Sequence, residues 1–169
     1  MLLSKYMLSH TSVDGKPKMV NIGEKPVTQR FARARAIVAL SEDIVRMLEE
    51  QGEQELLTAK GAVFQTAILA GIMAAKATDE LIPLCHRLPL EHCHIAIALH
   101  KRTELHIECT VSTTAKTGVE MEALVGASIA ALTVYDMCKS LSHNIIIREI
   151  MLLEKYGGKS DVQQDQALD

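Results

Sequence analysis

The sequence predicts an α+β domain in which helices pack on one face of an antiparallel sheet, and three observations lead there. Over 31–40, 94–99 and 105–111 the residues alternate from one side to the other, the two-residue period of half-buried strands. Ala-rich segments over 62–78 and from Gly118 to Lys139 run instead at the three- and four-residue period of helices. These elements alternate around a hairpin, with no repeated crossover units and no internal repeat. A chain of 169 residues, 48% apolar, suits one domain with its own core. It divides into a flexible N-terminal arm (1–28), a single α+β domain (29–160) and a polar C-terminal tail (161–169).

The arm holds Gly15, Pro17, Gly23 and Pro26 without sustained periodicity, and one short extended piece over 18–22. The first strand sets Ala32, Ala34, Ala36, Val38 and Leu40 toward the core and Arg33 and Arg35 toward solvent, with Arg30 in the turn before it. Ser41 is expected to cap the next helix, whose first turn is acidic, as the macrodipole favours, and whose end lies near Gly52. Segment 62–78 has almost no polar residues, so its helix is expected to be buried on most sides. Pro83 and Pro89 then exclude helix and central strand from 81–90, while the apolar residues there predict a buried irregular loop. The hairpin turns at Lys101-Arg102-Thr103 and points Ile95, Ile97, Leu99, Leu105, Ile107, Cys109 and Val111 inward. After the long helix, 144–153 reads as a β-branched strand, and Gly157-Gly158-Lys159-Ser160 follows shortly.

Bulk properties narrow the function. A net charge of −3 gives no reason to expect nucleic acid or an anionic membrane as partner. With 3% aromatic residues and no tryptophan, there is little on which bases could stack. Cys85, Cys93, Cys109 and Cys138 show no Cys-x-x-Cys or short metal-ligand spacing, and no signal segment is expected, which together predict a reducing cytoplasm. Apolar stretches are interrupted at Gln65, Lys76 or Asp136, so none is expected to span a bilayer.

Charge inside the long apolar helix is the strongest chemical signal. Asp136 and Lys139 share a face with Met121, Leu124, Val125, Ser128, Leu132 and Tyr135, and the alanines beside them allow close packing. Two readings stand: a site where scarce solvent tunes pKa values, or a surface ion pair at a helix end. Lys60-Gly61, just before an apolar helix, can meet an anion at its N-terminus or simply flank it. Arg33 and Arg35 form a basic wall or are solvated arginines. The glycine-rich ending imitates a phosphate loop, but Leu153 stands where a Walker motif needs its first glycine and no helix follows. Lys155 and Lys159 can still offer cations to a phosphate, or decorate a flexible loop. His92, His94, His100 and His106 are solvent-facing strand residues or metal ligands, and Cys85-His86 is a second metal suspicion without a spaced partner pair. Glycine, lysine, arginine and carboxylate together point to phosphate rather than redox chemistry.

Three long motifs, in order, carry a resemblance. Residues 81–90 resemble a Leu-Ile-Pro-Leu-Cys-His-Pro-Leu loop, and 117–139 a Thr-Gly-Val-Glu-Met-Glu-Ala-Leu helix ending in Tyr-Asp-Met-Cys-Lys. Residues 155–160 resemble a Lys-Ser-Gly-Gly-Lys-Ser ending. All three are features of the cyclic pyranopterin monophosphate synthase family, the molybdenum cofactor biosynthesis protein C, and the likeness runs from about Met19 to Ser160. It implies a ferredoxin-like antiparallel sheet with helices packed on one face, in a homo-hexamer (trimer of dimers) with active sites at subunit interfaces. It also implies a lyase that converts 3′,8-cyclo-7,8-dihydroguanosine 5′-triphosphate, a cyclised GTP intermediate from a radical-SAM partner enzyme, to cyclic pyranopterin monophosphate, releasing pyrophosphate. No cofactor and no metal are implied.

By the family's pattern Asp136 is the catalytic carboxylate and Lys139 and Lys60 are proton donors or acceptors. Leu84, Cys85, His86, Met121 and Glu122 hold the substrate, and Arg30, Lys155 and Lys159 complete the triphosphate site. Because a carboxylate one turn away raises a lysine's pKa, Lys139 is expected to act as an acid or an electrostatic anchor. The chain departs from the pattern at Arg87, Ala62, Asn21, Tyr156 and Asp161, which bears on the placement of His86 and sets a negative charge beside the phosphate loop. Two other functions compete: a non-catalytic protein that holds the cyclised nucleotide, and a zinc-dependent nucleotide cyclohydrolase using Cys85 and the histidines.

Overall fold

A computed structural model describes residues 14–164; the start of the arm and the end of the tail lie outside the described residues. The chain runs β1 (Thr28–Ala39), α1 (Glu42–Glu50), β2 (Leu57–Thr58), β3 (Gly61–Ala62), α2 (Val63–Lys76) and α3 (Thr78–Leu81). It continues through β4 (His92–His100), β5 (Glu104–Ala115), α4 (Glu120–Cys138), β6 (Ile146–Tyr156) and β7 (Val162–Gln163). The main sheet has the order β4-β5-β1-β6-β7, and each neighbouring pair is antiparallel. Without the short β2–β3 ladder, α1, α3 and β7, the order is strand-helix-strand-strand-helix-strand, which is the ferredoxin-like arrangement. α2 and α4 pack against each other and cover one face of the sheet.

Small side chains set the depth of that packing. Ala32, Ala34 and Ala36 on β1 and Ala123, Ala127, Ala130 and Ala131 on α4 are fully buried in one core, so helix and sheet approach closely. At the crossing of the two helices a Cβ on Gly71 would lie 2.7 Å from the Gly126 carbonyl oxygen, so any larger residue forces them apart. Despite the interrupting Asp136, α4 is long and apolar enough by composition to cross a membrane. Its burial against sheet and α2 makes it a core helix.

Several expectations are corrected. Arg30 is not in a turn; it lies in β1 on the same face as Ala32, buried, with Nε donating to the Ala115 carbonyl at 3.2 Å. Arg35 is buried rather than solvated and faces Glu149 at 3.7 Å, while Arg33 bridges Glu108 at 3.3 Å and Glu154 at 2.8 Å. The far face of the sheet is therefore a mesh of matched charges, not a basic wall. Ser41 occupies the N-cap of α1, but its hydroxyl makes no capping bond. α2 is buried on one side only, with Leu69 63% and Met73 69% exposed. None of residues 81–90 is fully buried, and 18–22 form no strand. The glycine-rich ending is the turn of a hairpin, because Val162 and Gln163 pair back onto Lys155 and Glu154.

Candidate active site

Two adjoining cavities open at the N-terminal end of α4. The first, of about 410 Å³, lies between the arm, the 82–88 loop and α4, and is lined by Val20, Leu84, Cys85, His86, Met121 and Glu122, among others. His86 is placed by a hydrogen bond from Nε2 to the Val20 carbonyl at 2.7 Å, so the arm lies across this cavity. Arg87, the residue that follows, extends to solvent toward Asp79 and leaves His86 in the cavity wall. Glu122 is buried, and that burial pushes its carboxyl up to about 7. Burial, then Glu122 and Asp79, push the Cys85 thiol up, so it is not an activated nucleophile.

A neutral Glu122 has a measurable signature. Between the ordinary carboxyl range and pH 7 the folded chain holds a proton that the unfolded chain has released, so stability falls as pH rises through this window. Glu122→Gln, which keeps the shape and cannot ionise, is expected to be about 3 kcal/mol more stable than the wild type above pH 7 and equal to it in acid. Urea unfolding at both pH values checks this, and an equal difference at both would assign Glu122 another environment.

The second cavity, of about 360 Å³, is basic and lies between β1, β6 and the glycine-rich turn. Arg30, Lys155 and Lys159 line it, as do Lys25 and Lys116, two cations that sequence reasoning did not assign. Lys116 adjoins the Thr-Gly-Val-Glu motif, which could have flagged it; Lys25 sits in the aperiodic arm and carries no such signal. Lys155 is neutralised by Glu120 at 2.9 Å, and Lys116 donates to the Gly23 carbonyl, tying the arm to the rim.

The remaining predicted residues gather at the other end of α4. Asp136 Oδ2 receives Lys60 Nζ at 2.8 Å and Oδ1 receives Lys139 Nζ at 2.6 Å. Lys60 also donates to the Asp136 carbonyl at 2.7 Å. The two ammonium groups, Lys139 first, hold the Asp136 carboxyl down at about 2, and Asp136 in turn raises Lys139. Solvent is not scarce here: the three side chains are 42–57% exposed in the single chain. Lys60 stands in the β2–β3 turn and does not serve the N-terminus of α2, whose amides at Phe64 and Gln65 are taken by the Glu55 carboxylate at 2.7 and 3.0 Å.

Glu122 and Asp136 are fourteen residues apart on one helix, about 21 Å along its axis. The structure thus assembles the predicted site as two separate halves. Among the described residues no group of three or more His, Cys, Asp or Glu side chains is placed to hold a metal. His92 and His94 stack at 6.4 Å, and His100 meets His106 at 4.5 Å.

A ferredoxin-like fold with a basic cavity, an adjoining buried carboxyl raised toward neutrality and a carboxylate held by two lysines defines an α+β protein equipped for acid–base work on an anionic ligand. The chain belongs to the MoaC family, whose model matches residues 19–158. It is 46% identical over 155 residues to the cyclic pyranopterin monophosphate synthase of Xanthomonas axonopodis pv. citri, covering 92% of each chain. It is 49% identical over 162 residues to the molybdenum cofactor biosynthesis bifunctional protein of Synechocystis, covering 94% of this chain and 46% of that one. To the molybdenum cofactor biosynthesis protein 1 of Dictyostelium discoideum it is 44% identical over 170 residues, covering 92% of this chain. The chain spans 27% of that relative, so some relatives carry much beyond this unit.

Proposed function

We propose that this chain is a cyclic pyranopterin monophosphate synthase, a lyase of molybdenum cofactor biosynthesis. It takes the cyclised GTP intermediate from a radical-SAM partner, rearranges it into the pterin and closes the cyclic phosphate with loss of pyrophosphate. The observation that carries this reading is a cation-lined cavity beside a buried Glu122 whose carboxyl is pushed up to about 7, in a chain 46% identical to a synthase over 92% of both. A neutral carboxyl can donate to a ring carbonyl where a carboxylate would repel it. The cations of the basic cavity, with Lys155 offset by Glu120, suit a triphosphate, and they stabilise the departing pyrophosphate oxygens when the bond from the α-phosphorus breaks and a sugar-derived oxygen takes its place.

Proton transfer falls to the other half. A carboxylate held at about 2 is a weak base at neutral pH, so Asp136 orients two lysines, and Lys60 and Lys139 move the protons. The 21 Å between halves means that one substrate meets both only where two subunits join, which agrees with the homo-hexamer (trimer of dimers) that the resemblance implies. Leu132 and Tyr135, exposed beside Asp136, suit such an interface. A cytoplasmic setting suits the four free thiols. Incubating the purified protein anaerobically with the cyclised intermediate is expected to yield the pterin product and pyrophosphate in equal amounts by mass spectrometry; tight binding without turnover would make it a carrier instead.

A further inference from the structure

We propose that the Asp161 carboxylate competes with the polyphosphate end of the ligand for the glycine-rich turn, so that pyrophosphate is held weakly and leaves quickly. This rests on the phosphate-binding reading of the basic cavity. Residues 157–161 join β6 to β7, and Gly157, with φ +85, has no room for a Cβ against the Gln29 carbonyl. Thr28 Oγ1 donates to the Gly157 carbonyl at 2.8 Å, which anchors the turn at this residue, on the wall of the basic cavity. An amide presented this way among cations is a ready partner for a phosphate oxygen. In this chain that amide donates instead to Asp161 Oδ1 at 3.1 Å.

The neighbouring groups sharpen the competition. A Cβ on Gly158 would lie 3.2 Å from Arg30 Nη1, so the turn rests on the guanidinium that faces the cavity. Lys155 is already paired with Glu120, and Asp161 brings a further negative charge to the turn that carries Lys159. The β7 pairing of Val162 with Lys155 keeps Asp161 within reach of Gly157. An arriving phosphate oxygen must displace the carboxylate from the amide and meets its charge nearby.

Inorganic pyrophosphate is the probe, titrated calorimetrically into the wild type and into Asp161→Asn, Asp161→Ala and Lys159→Ala. Asp161→Asn keeps an acceptor for Gly157 and removes only the charge. Both Asp161 variants are expected to bind about 5- to 10-fold tighter at low salt, with the gain shrinking near 1 M salt, where screening acts within about 3 Å. Added pyrophosphate is expected to inhibit turnover of Asp161→Asn more strongly than that of the wild type. Unchanged or weaker binding in the Asp161 variants, with Lys159→Ala weakened, makes Asp161 a turn cap and overturns the proposal alone. Binding that is absent, or unaffected by Lys159→Ala, sinks the phosphate reading and the proposal with it.

Discussion

Asp136→Asn is expected to slow product formation about 10²- to 10⁴-fold, the range for a lost acid–base arrangement, while the melting temperature stays close to that of the wild type. Among the described residues Asp136 is the acidic partner of both Lys60 Nζ and Lys139 Nζ, at 2.8 and 2.6 Å. An amide keeps the size and one acceptor but removes the charge that holds both ammonium groups, leaving Lys60 only its bond to the backbone carbonyl of residue 136 and Lys139 without its counter-ion. Stability is hardly touched, because exposed pairs contribute little to folding. The pH profile separates this from simple damage. Asp136 raises Lys139, so in Asp136→Asn the lysine loses its proton at lower pH, and the alkaline limb of the residual rate moves down. Full activity in Asp136→Asn, or an alkaline limb that stays where the wild type has it, would remove this lysine pair from the reaction.

The strands were legible because alternation survives in one chain's worth of burial: Ile107, Cys109 and Val111 are inward and buried where their period says. The site motifs were legible as residue types, and the cavities do gather Leu84, Cys85, His86, Met121 and Glu122, and separately Arg30, Lys155 and Lys159. What period and propensity do not carry is partnership across the sheet. Arg35 looked solvated because its own strand says only that it points away from the core; Glu149 and Met151 on β6, over a hundred residues later, bury it. Arg30 sits inside the strand because β5 continues past the partner of Phe31 and pairs Thr113 with Arg30. The Glu55 carboxylate that caps α2 comes from a loop with no helical signal. The distance between the two half-sites was readable in advance from residue spacing and helical rise alone, since Glu122 and Asp136 share one helix.

That distance leads to the largest effect expected. Two inactive variants, Asp136→Asn and His86→Ala, are expected to regain activity when unfolded together, mixed in equal amounts and refolded. His86 lies in a cavity of about 410 Å³, roughly 7–8 Å across if compact, while Asp136 lies near the far end of α4. No ligand confined to the first cavity reaches the second cluster of the same subunit. If each working site takes its cavity from one subunit and its lysine pair from another, random mixing leaves about a quarter of sites with both halves intact. The restored rate should therefore approach about a quarter of the wild-type rate per site, against parents lower by about two to four orders of magnitude. The exposure of Lys60, Asp136 and Lys139 is what such a shared site requires, since a cluster sealed within its own subunit could not serve a neighbour. A mixture no more active than its parents, with assembly confirmed by light scattering, would place both halves in one subunit and demand a conformational change that shortens the 21 Å between them.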